Sequence, residues 1–379
     1  MKAAFIHDHR FPMKDGKYYS SSGFENSFIS RYIEIFGNIK IIARSEELDT
    51  GHEPEQLNTN CVEFYTIENT KSLLLLRNYR KLKNEICDCQ YAVIRMPSII
   101  GLFSGYICRK NKIPFLVEVV GCPWDSMAFK GKLWDLFGRA YSFLMKRMII
   151  KSKYVVYVSE KFLEDRYPTN GKYTNISNIV LNNYGTCDIS IRKKKIEEYD
   201  PKKKMIIGSC GSLSAEYKSQ EDVIRIIPLL REKGINVVYQ LVGGGSPNRL
   251  LQWAKEYNVV DYVDIIGELK HEDVFSWMDG LDFYVHPSKQ EGLCRAIIEA
   301  MSRACPIIAA DAGGIHEQIS DEYIFPKGDY IKMLNLLVGF GKEEMLKEGL
   351  LNFENASKYQ SEILNNRRLV FFKDFISQR

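Results

Sequence analysis

A chain of 379 residues is too long for one small core and suits two α/β domains of roughly 150–200 residues each. Apolar residues make up 45% and charged ones 26%, and no apolar run approaches the roughly 18–20 residues of a membrane-spanning helix. The formal charge of +4 is too mild to argue for nucleic acid, and nine cysteines without a C-x2-C pair or zinc-spaced Cys/His cluster read as free thiols in a reducing cytoplasm.

In chain order, residues 2–6 read as a first strand, too short for the apolar core of a signal peptide. Residues 7–23 read as a long polar loop, 24–36 as a helix and 39–43 as a second strand. Further strands are expected at 92–95, at 115–120 ending on Gly121, and at 154–158, with a helix over 99–109. This alternation predicts a parallel sheet with helices on both faces, a Rossmann-like first domain over residues 1–181. Within it, residues 128–153 carry Lys130, Lys132, Arg139, Lys146, Arg147, Lys151 and Lys153 against Asp135 alone. Leu133, Phe137, Ala140, Leu144 and Met148 recur there at helical spacing, beside Trp134. The pattern suits a peripheral contact with an anionic membrane, and equally a domain helix with a solvated basic face.

Residues 182–204 are polar, with basic runs at 192–195 and 202–204, and read as a linker. A second Rossmann-like domain is expected over 205–358. Its first strand, near 205–213, ends in small residues, and 214–218 lead into a helical pattern from Asp222. The strand at 237–242 ends in Gly243-Gly244-Gly245, without the G-x-G-x-x-G and downstream acid of dinucleotide binding. A tight turn accounts for these glycines as well as ligand contact does. The next strand ends at Gly267.

The most informative segment follows. Glu291 and Glu299 stand eight positions apart, directly after an apolar strand at 281–286 and before another at 306–310 that ends near Gly313-Gly314. Open parallel sheets bind ligands at the carboxyl ends of their strands. Eight helical steps would separate the two carboxylates by about 12 Å and rotate them by roughly 80°. That is too far for the roughly 5 Å pair of retaining glycosidases. It suits the two hydroxyl-bearing ends of one long ligand, with the amides of Leu293, Cys294 and Arg295 at a helix amino terminus favouring an anion between them. An ordinary helix with solvated glutamates is the plain alternative.

Here the chain resembles the retaining glycosyltransferases of family four, which have the GT-B fold, in their bacterial surface- and capsular-polysaccharide branch. The resemblance rests on Pro287-Ser288, Glu291-Gly292, Glu299-Ala300-Met301, residues 306–309 (Pro-Ile-Ile-Ala), Gly313-Gly314-Ile315 and Glu317, in order and at the family's spacing. It implies that Glu291 contacts the donor sugar and Glu299 the ribose hydroxyls. It implies that Lys218 holds the donor diphosphate, and that Gly292, Leu293, Cys294, Arg295, Gly243, Gly267 and Gly314 line the donor. The family has an Arg where this chain has Ser212, which leaves one positive charge fewer for the leaving group. The loop around His7, Asp8 and His9 resembles the family's first loop, where Gly23 would approach the diphosphate closely. Many members place a His near residue 125; here Glu118, Trp124 and Asp125 are the local alternatives, and no base is assigned among them. Residues 359–379 would form a helix returning to the first domain, as in the family.

The expected activity is therefore transfer of a sugar, with anomeric retention, from a UDP- or GDP-sugar to a hydroxyl on a lipid-linked glycan. No metal or other cofactor is expected, and the enzyme would work in the cytoplasm, at the inner face of the cell membrane. Two other readings share these residues: a nucleotide-sugar epimerase, which would convert donor without acceptor, and a non-catalytic binding scaffold.

Overall fold

The computed structural model describes every residue except Ser22, 49–53, Thr59, Phe129, Asn183, 186–188 and Arg379. The chain divides into two compact units, Met1–Ile176 with Asn366–Arg379, and Ser177–Asn365. Among the described residues no helix is long and apolar enough to cross a membrane.

The first unit holds β1 (Lys2–Lys14), β2 (Lys17–Tyr18), β3 (Asn38–Glu47), β4 (Val62–Thr66), β5 (Tyr91–Met96), β6 (Phe115–Val119), β7 (Tyr154–Tyr157) and β8 (Lys172–Asn175). They form one sheet in the order β4-β3-β1-β5-β6-β7-β8, parallel throughout apart from the β1–β2 hairpin. Central strands covered on both faces need apolar side chains on both, and every residue of β5 is buried. The edge strands β4 and β8 are short and half-exposed, which is why no apolar run announces them in the sequence.

The expected polar loop at 7–23 is a correction: β1 continues through it to Lys14. Ile6 pairs with Ile42 and Arg10 with Arg44, so His7, Asp8 and His9 together face Ala43 alone. This is a bulge, and it re-aims polar side chains that would otherwise alternate across the sheet. The last helix, Ser361–Ser377, contributes its part from Asn366 to this unit. Phe372 packs on Phe36 and Tyr32, and the Tyr154 hydroxyl donates to Asp374 Oδ2 at 2.9 Å.

The helix Lys132–Ile149 turns Gly138, Met145, Met148 and Ile149 inward. Leu133, Trp134, Leu136, Phe137, Phe143 and Leu144 all remain exposed. Of the apolar stripe read from the sequence, only Met148 reaches the core.

The second unit holds β9 (Met205–Cys210), β10 (Val237–Val242), β11 (Val263–Gly267), β12 (Phe283–His286), β13 (Ile307–Ala310) and β14 (Ile324–Phe325), parallel in the order β11-β10-β9-β12-β13-β14. The stretch read as a linker is largely part of this unit. Its helix Ile189–Glu198 buries Ile196 in the core. Arg192 donates to the carbonyls of Leu281, Met278 and Arg303 at 2.7, 2.9 and 3.1 Å. The basic run that looks solvated thus contains an arginine anchoring the ends of two helices, His271–Gly280 and Arg295–Met301. Residues 183 and 186–188 of that stretch lie outside the described residues.

Candidate active site

Each sheet reverses its strand order once. In the first unit the chain leaves β1 toward β3 and β4, then lays β5 on the other side of β1. In the second it leaves β9 toward β10 and β11, then lays β12 on the other side of β9. Open parallel sheets hold ligands beyond the carboxyl ends at such a reversal.

At the second reversal, β9 runs out into Gly211-Ser212 and β12 into the loop bearing Glu291. The two loops are tied together, since the Lys289 amide donates to Tyr217 O at 2.8 Å. This brings Lys218, at the end of the short turn Glu216–Lys218, against Glu291. The Lys218 ammonium lies 2.6 Å from Glu291 Oε1, and His286 Nε2 lies 2.8 Å from the same oxygen. Burial opposes ionisation of Glu291, but the Lys218 charge and the His286 hydrogen bond outweigh it and hold the carboxyl far below its usual range. Burial likewise opposes the charge on Lys218, and Glu291 outweighs it, so the ammonium is held. Burial lowers His286, only partly offset by Glu291, so the imidazole is neutral. An ionised carboxylate only accepts, so His286 donates through Nε2.

Two glycines fit because they lack a side chain. A Cβ on Gly243 would lie 2.0 Å from Gly211 O, and one on Gly313 (φ +59) would lie 2.1 Å from Glu291 O. Gly313 therefore seats the Glu291 loop, while the expected Gly314 contributes its amide to Gly292 O at 2.9 Å. Gly267 O accepts the Gly243 amide at 2.8 Å, linking those two turns.

The helix after Glu291 begins only at Arg295, so the continuous-helix distance between Glu291 and Glu299 does not apply. Of the three amides expected to face an anion, that of Cys294 is taken up by Gln318 Oε1 at 3.1 Å. Glu299 is not solvated: it is 8% exposed, with Oε1 3.2 Å from His271 Nε2. Ser212 carries no charge, and its hydroxyl meets that of Ser214 at 3.2 Å. Burial first, then the Glu299 charge, push the Cys210 thiol up to about 12, while Lys218 and Arg295 pull it down. Lys218 and Glu291 thus pair beyond β9, and Arg295 and Glu299 stand on the helix that follows the Glu291 loop.

His286, Glu291 and Cys294 place donor atoms within 4.8 Å of one another, as a metal site would. The Lys218 ammonium lies 2.6 Å from the Glu291 oxygen of that set, and burial pushes the Cys294 thiol up.

The first reversal is built differently. Asp8 accepts from Ser98 Oγ at 2.8 Å and from the amides of Ile99 and Ile100 at 2.5 and 2.9 Å. The protein's own carboxylate thus caps the helix Ile99–Lys110. His9 stacks on Phe24 with ring centres 4.1 Å apart and bonds to Ser21 Oγ. Burial, then the Arg95 charge, lower His9 to about 4 and His7 well below its usual value. Gly23 lies in the turn between them and the next helix, at φ 83, and is the one expected donor residue in this unit. Glu118 is buried under Tyr32 and Arg95, Asp125 is paired with Arg166, and the Trp124 indole donates to Asp135.

With this geometry in view, the family description "Glycosyl transferases group 1" matches residues 190–369. "Protein CapJ" of Staphylococcus aureus is 32% identical over 394 residues, covering 100% of this chain and 97% of CapJ. The chain is a group 1 glycosyltransferase. Its two parallel-sheet units are those of the GT-B fold. The sucrose-phosphate synthase of Thermosynechococcus elongatus superposes with a TM-score of 0.71 at 15% identity, over 100% of both chains. Anabaena HepE in complex with UDP and glucose gives 0.66 at 16%, again over 100% of both. For this glycosyltransferase, sequence reasoning missed His286, His271 and Gln318. His286 was legible as the last residue of the strand before Glu291; the other two reach the site only through folding.

Proposed function

We propose that this glycosyltransferase moves a sugar from a nucleotide diphosphate donor to a hydroxyl with retention at the anomeric carbon. The observation that carries the reading is the Lys218–Glu291–His286 cluster at the reversal of the second sheet. A buried ammonium paired with a carboxylate can exchange it for a phosphate of like charge without leaving either charge stranded, provided the carboxylate keeps a partner. His286 is that partner: its Nε2–H stays on Glu291 when Lys218 turns to the diphosphate. Glu291 then accepts from a sugar hydroxyl, and Glu299 from the ribose. Arg295 supplies the second cation that Ser212 does not. As the glycosidic bond breaks, negative charge grows on the departing diphosphate, where Lys218 and Arg295 stand fixed in advance. The acceptor hydroxyl passes its proton to an oxygen of that diphosphate, so the new bond forms on the face the old one left. No side-chain base and no metal ion enter this scheme.

The proposed acceptor is a lipid-linked glycan in surface-polysaccharide assembly. The exposed apolar and basic residues of the helix Lys132–Ile149 support it, because such a face suits the anionic inner leaflet of a membrane. A thermal-shift titration with UDP and GDP in EDTA tests the donor site, since a ligand of the native state raises apparent stability. A rise with one nucleotide is expected; no rise, or one only with Mg2+, overturns the site. Incubation with donor and polyprenyl-diphosphate glycan should give an anomerically retained product. Donor epimerised without acceptor would replace this reading with the isomerase one.

A further inference from the structure

Two adjoining cavities lie on the first unit, apart from the strand ends that carry the chemistry. One, of 440 Å3, sits where β5, β6 and β7 begin, at Tyr91, Phe115 and Tyr154. Its floor is aromatic: the Phe375 ring lies 5.6 Å from that of Tyr91 and 5.3 Å from that of Tyr154. Its rim carries Arg109, Lys112, Lys151 and Lys153, all exposed. The second, of 320 Å3, shares Arg109 and Lys151 and adds Arg147. It runs between the helices Ile99–Lys110 and Lys132–Ile149 past Tyr106 and Leu144, which are 58% and 52% exposed. Among the described residues no carboxylate lines either cavity.

Cations commonly close a helix at its carboxyl end, and Arg109 lies in such a last turn. Arg147 likewise lies in the last turn of its helix, so helix ends explain two of the five cations, and not the apolar floor below them. Five cations with no carboxylate among the described lining residues call for an anion. An open aromatic floor continuing into an exposed apolar groove calls for hydrocarbon. One ligand class meets both demands. We propose that the joined cavities bind an anionic phospholipid, its phosphate between Arg109 and Lys151 and its chain along the groove past Leu144. The site is independent of the donor chemistry proposed above.

The test uses full-length protein and dihexanoyl phosphatidic acid below its micelle concentration, with glycerol 3-phosphate as the chain-free counterpart. Saturable binding of the lipid by calorimetry is expected, with no comparable response to glycerol 3-phosphate. Arg109→Ala/Lys151→Ala should weaken binding by at least about ten-fold, while Arg77→Ala/Lys81→Ala, an equal charge loss on another helix of the same unit, changes it less than about two-fold. Equal binding of glycerol 3-phosphate would make this a free-phosphate site and overturn the lipid assignment. Equal loss in both double variants, or no saturable binding, would reduce it to diffuse surface charge and overturn the site. The UDP response, followed on the same samples, should stay at wild type, so failure of the lipid site and failure of the donor site read out separately.

Discussion

The two sheets reverse strand order in the same manner, yet their crevices differ in what already fills them. In the first unit Asp8 occupies the amino end of the helix after β5 with three hydrogen bonds. An anion there would have to compete with this tethered carboxylate for the same three donors and leave Asp8 without its partners. In the second unit the carboxylate at the reversal, Glu291, is bound by groups with other uses, a lysine and a neutral histidine. Identical topology offers a ligand position twice, and under the proposed function the carboxylate held by a lysine side chain is the exchangeable one, while the one held by backbone donors is structural.

The sharpest way to break this contrast is Lys218→Ala. Leaving Glu291 buried beside His286 alone should cost about 3–5 kcal/mol and abolish transfer. Lys218→Met/Glu291→Leu should recover most of that stability in denaturant titrations and none of the activity. Equal stability of the single and double variants would show that the pair is not buried in solution.

Acid should separate the two units next. His7 and His9 are lowered in the folded protein, so the unfolded chain takes up protons first. Their contribution is fully present above about pH 6.5 and lost as pH falls toward about 4, on the order of 2–3 kcal/mol for His9. Glu291 is lowered as a carboxylate, so its contribution persists down to about pH 4.3 and is lost only below. His286 is lowered by burial too and gives the second unit a slope of the same sign above that point. Hydrogen exchange between pH 7 and 4.5 should therefore show the first unit loosening earlier, and His9→Gln should flatten its response. Simultaneous loosening would remove the distinction.

Asp8→Ala should destabilise the first unit by about 1–2 kcal/mol through the lost cap, with nucleotide affinity unchanged. Glu299→Ala should do the reverse, weakening donor binding more than about ten-fold with little change in unfolding midpoint. Glu291→Gln should lower turnover chiefly. Calorimetric donor titrations and steady-state rates on the three variants check this; a stability loss without a binding loss at Glu299 would return it to a structural role.

Much of the site was legible because its residues are close in sequence. Glu291, Gly292 and Glu299 lie on one strand–loop–helix passage, and short-range spacing survives folding. Lys218 was named from the family pattern and from its place at a strand-to-helix turn, and it lies against Glu291. The bond between Lys218 and Glu291 was not legible, since it spans 73 positions and depends on β9 and β12 being neighbours. Nor was the use of the Cys294 amide by Gln318, 24 residues on.

The alternation of apolar runs with helical patterns determined by itself that there are two parallel sheets, because buried central strands must be apolar on both faces. It could not determine where polar residues sit. His7, Asp8 and His9 look like a loop and form a bulge inside a strand; Arg192 looks solvated and holds three carbonyls; Leu133 and Phe137, whose helical spacing left membrane contact and a domain helix both open, face outward. For such residues the deciding term is whether a partner or covering layer is supplied from elsewhere in the chain, and that exists only once the tertiary structure has formed.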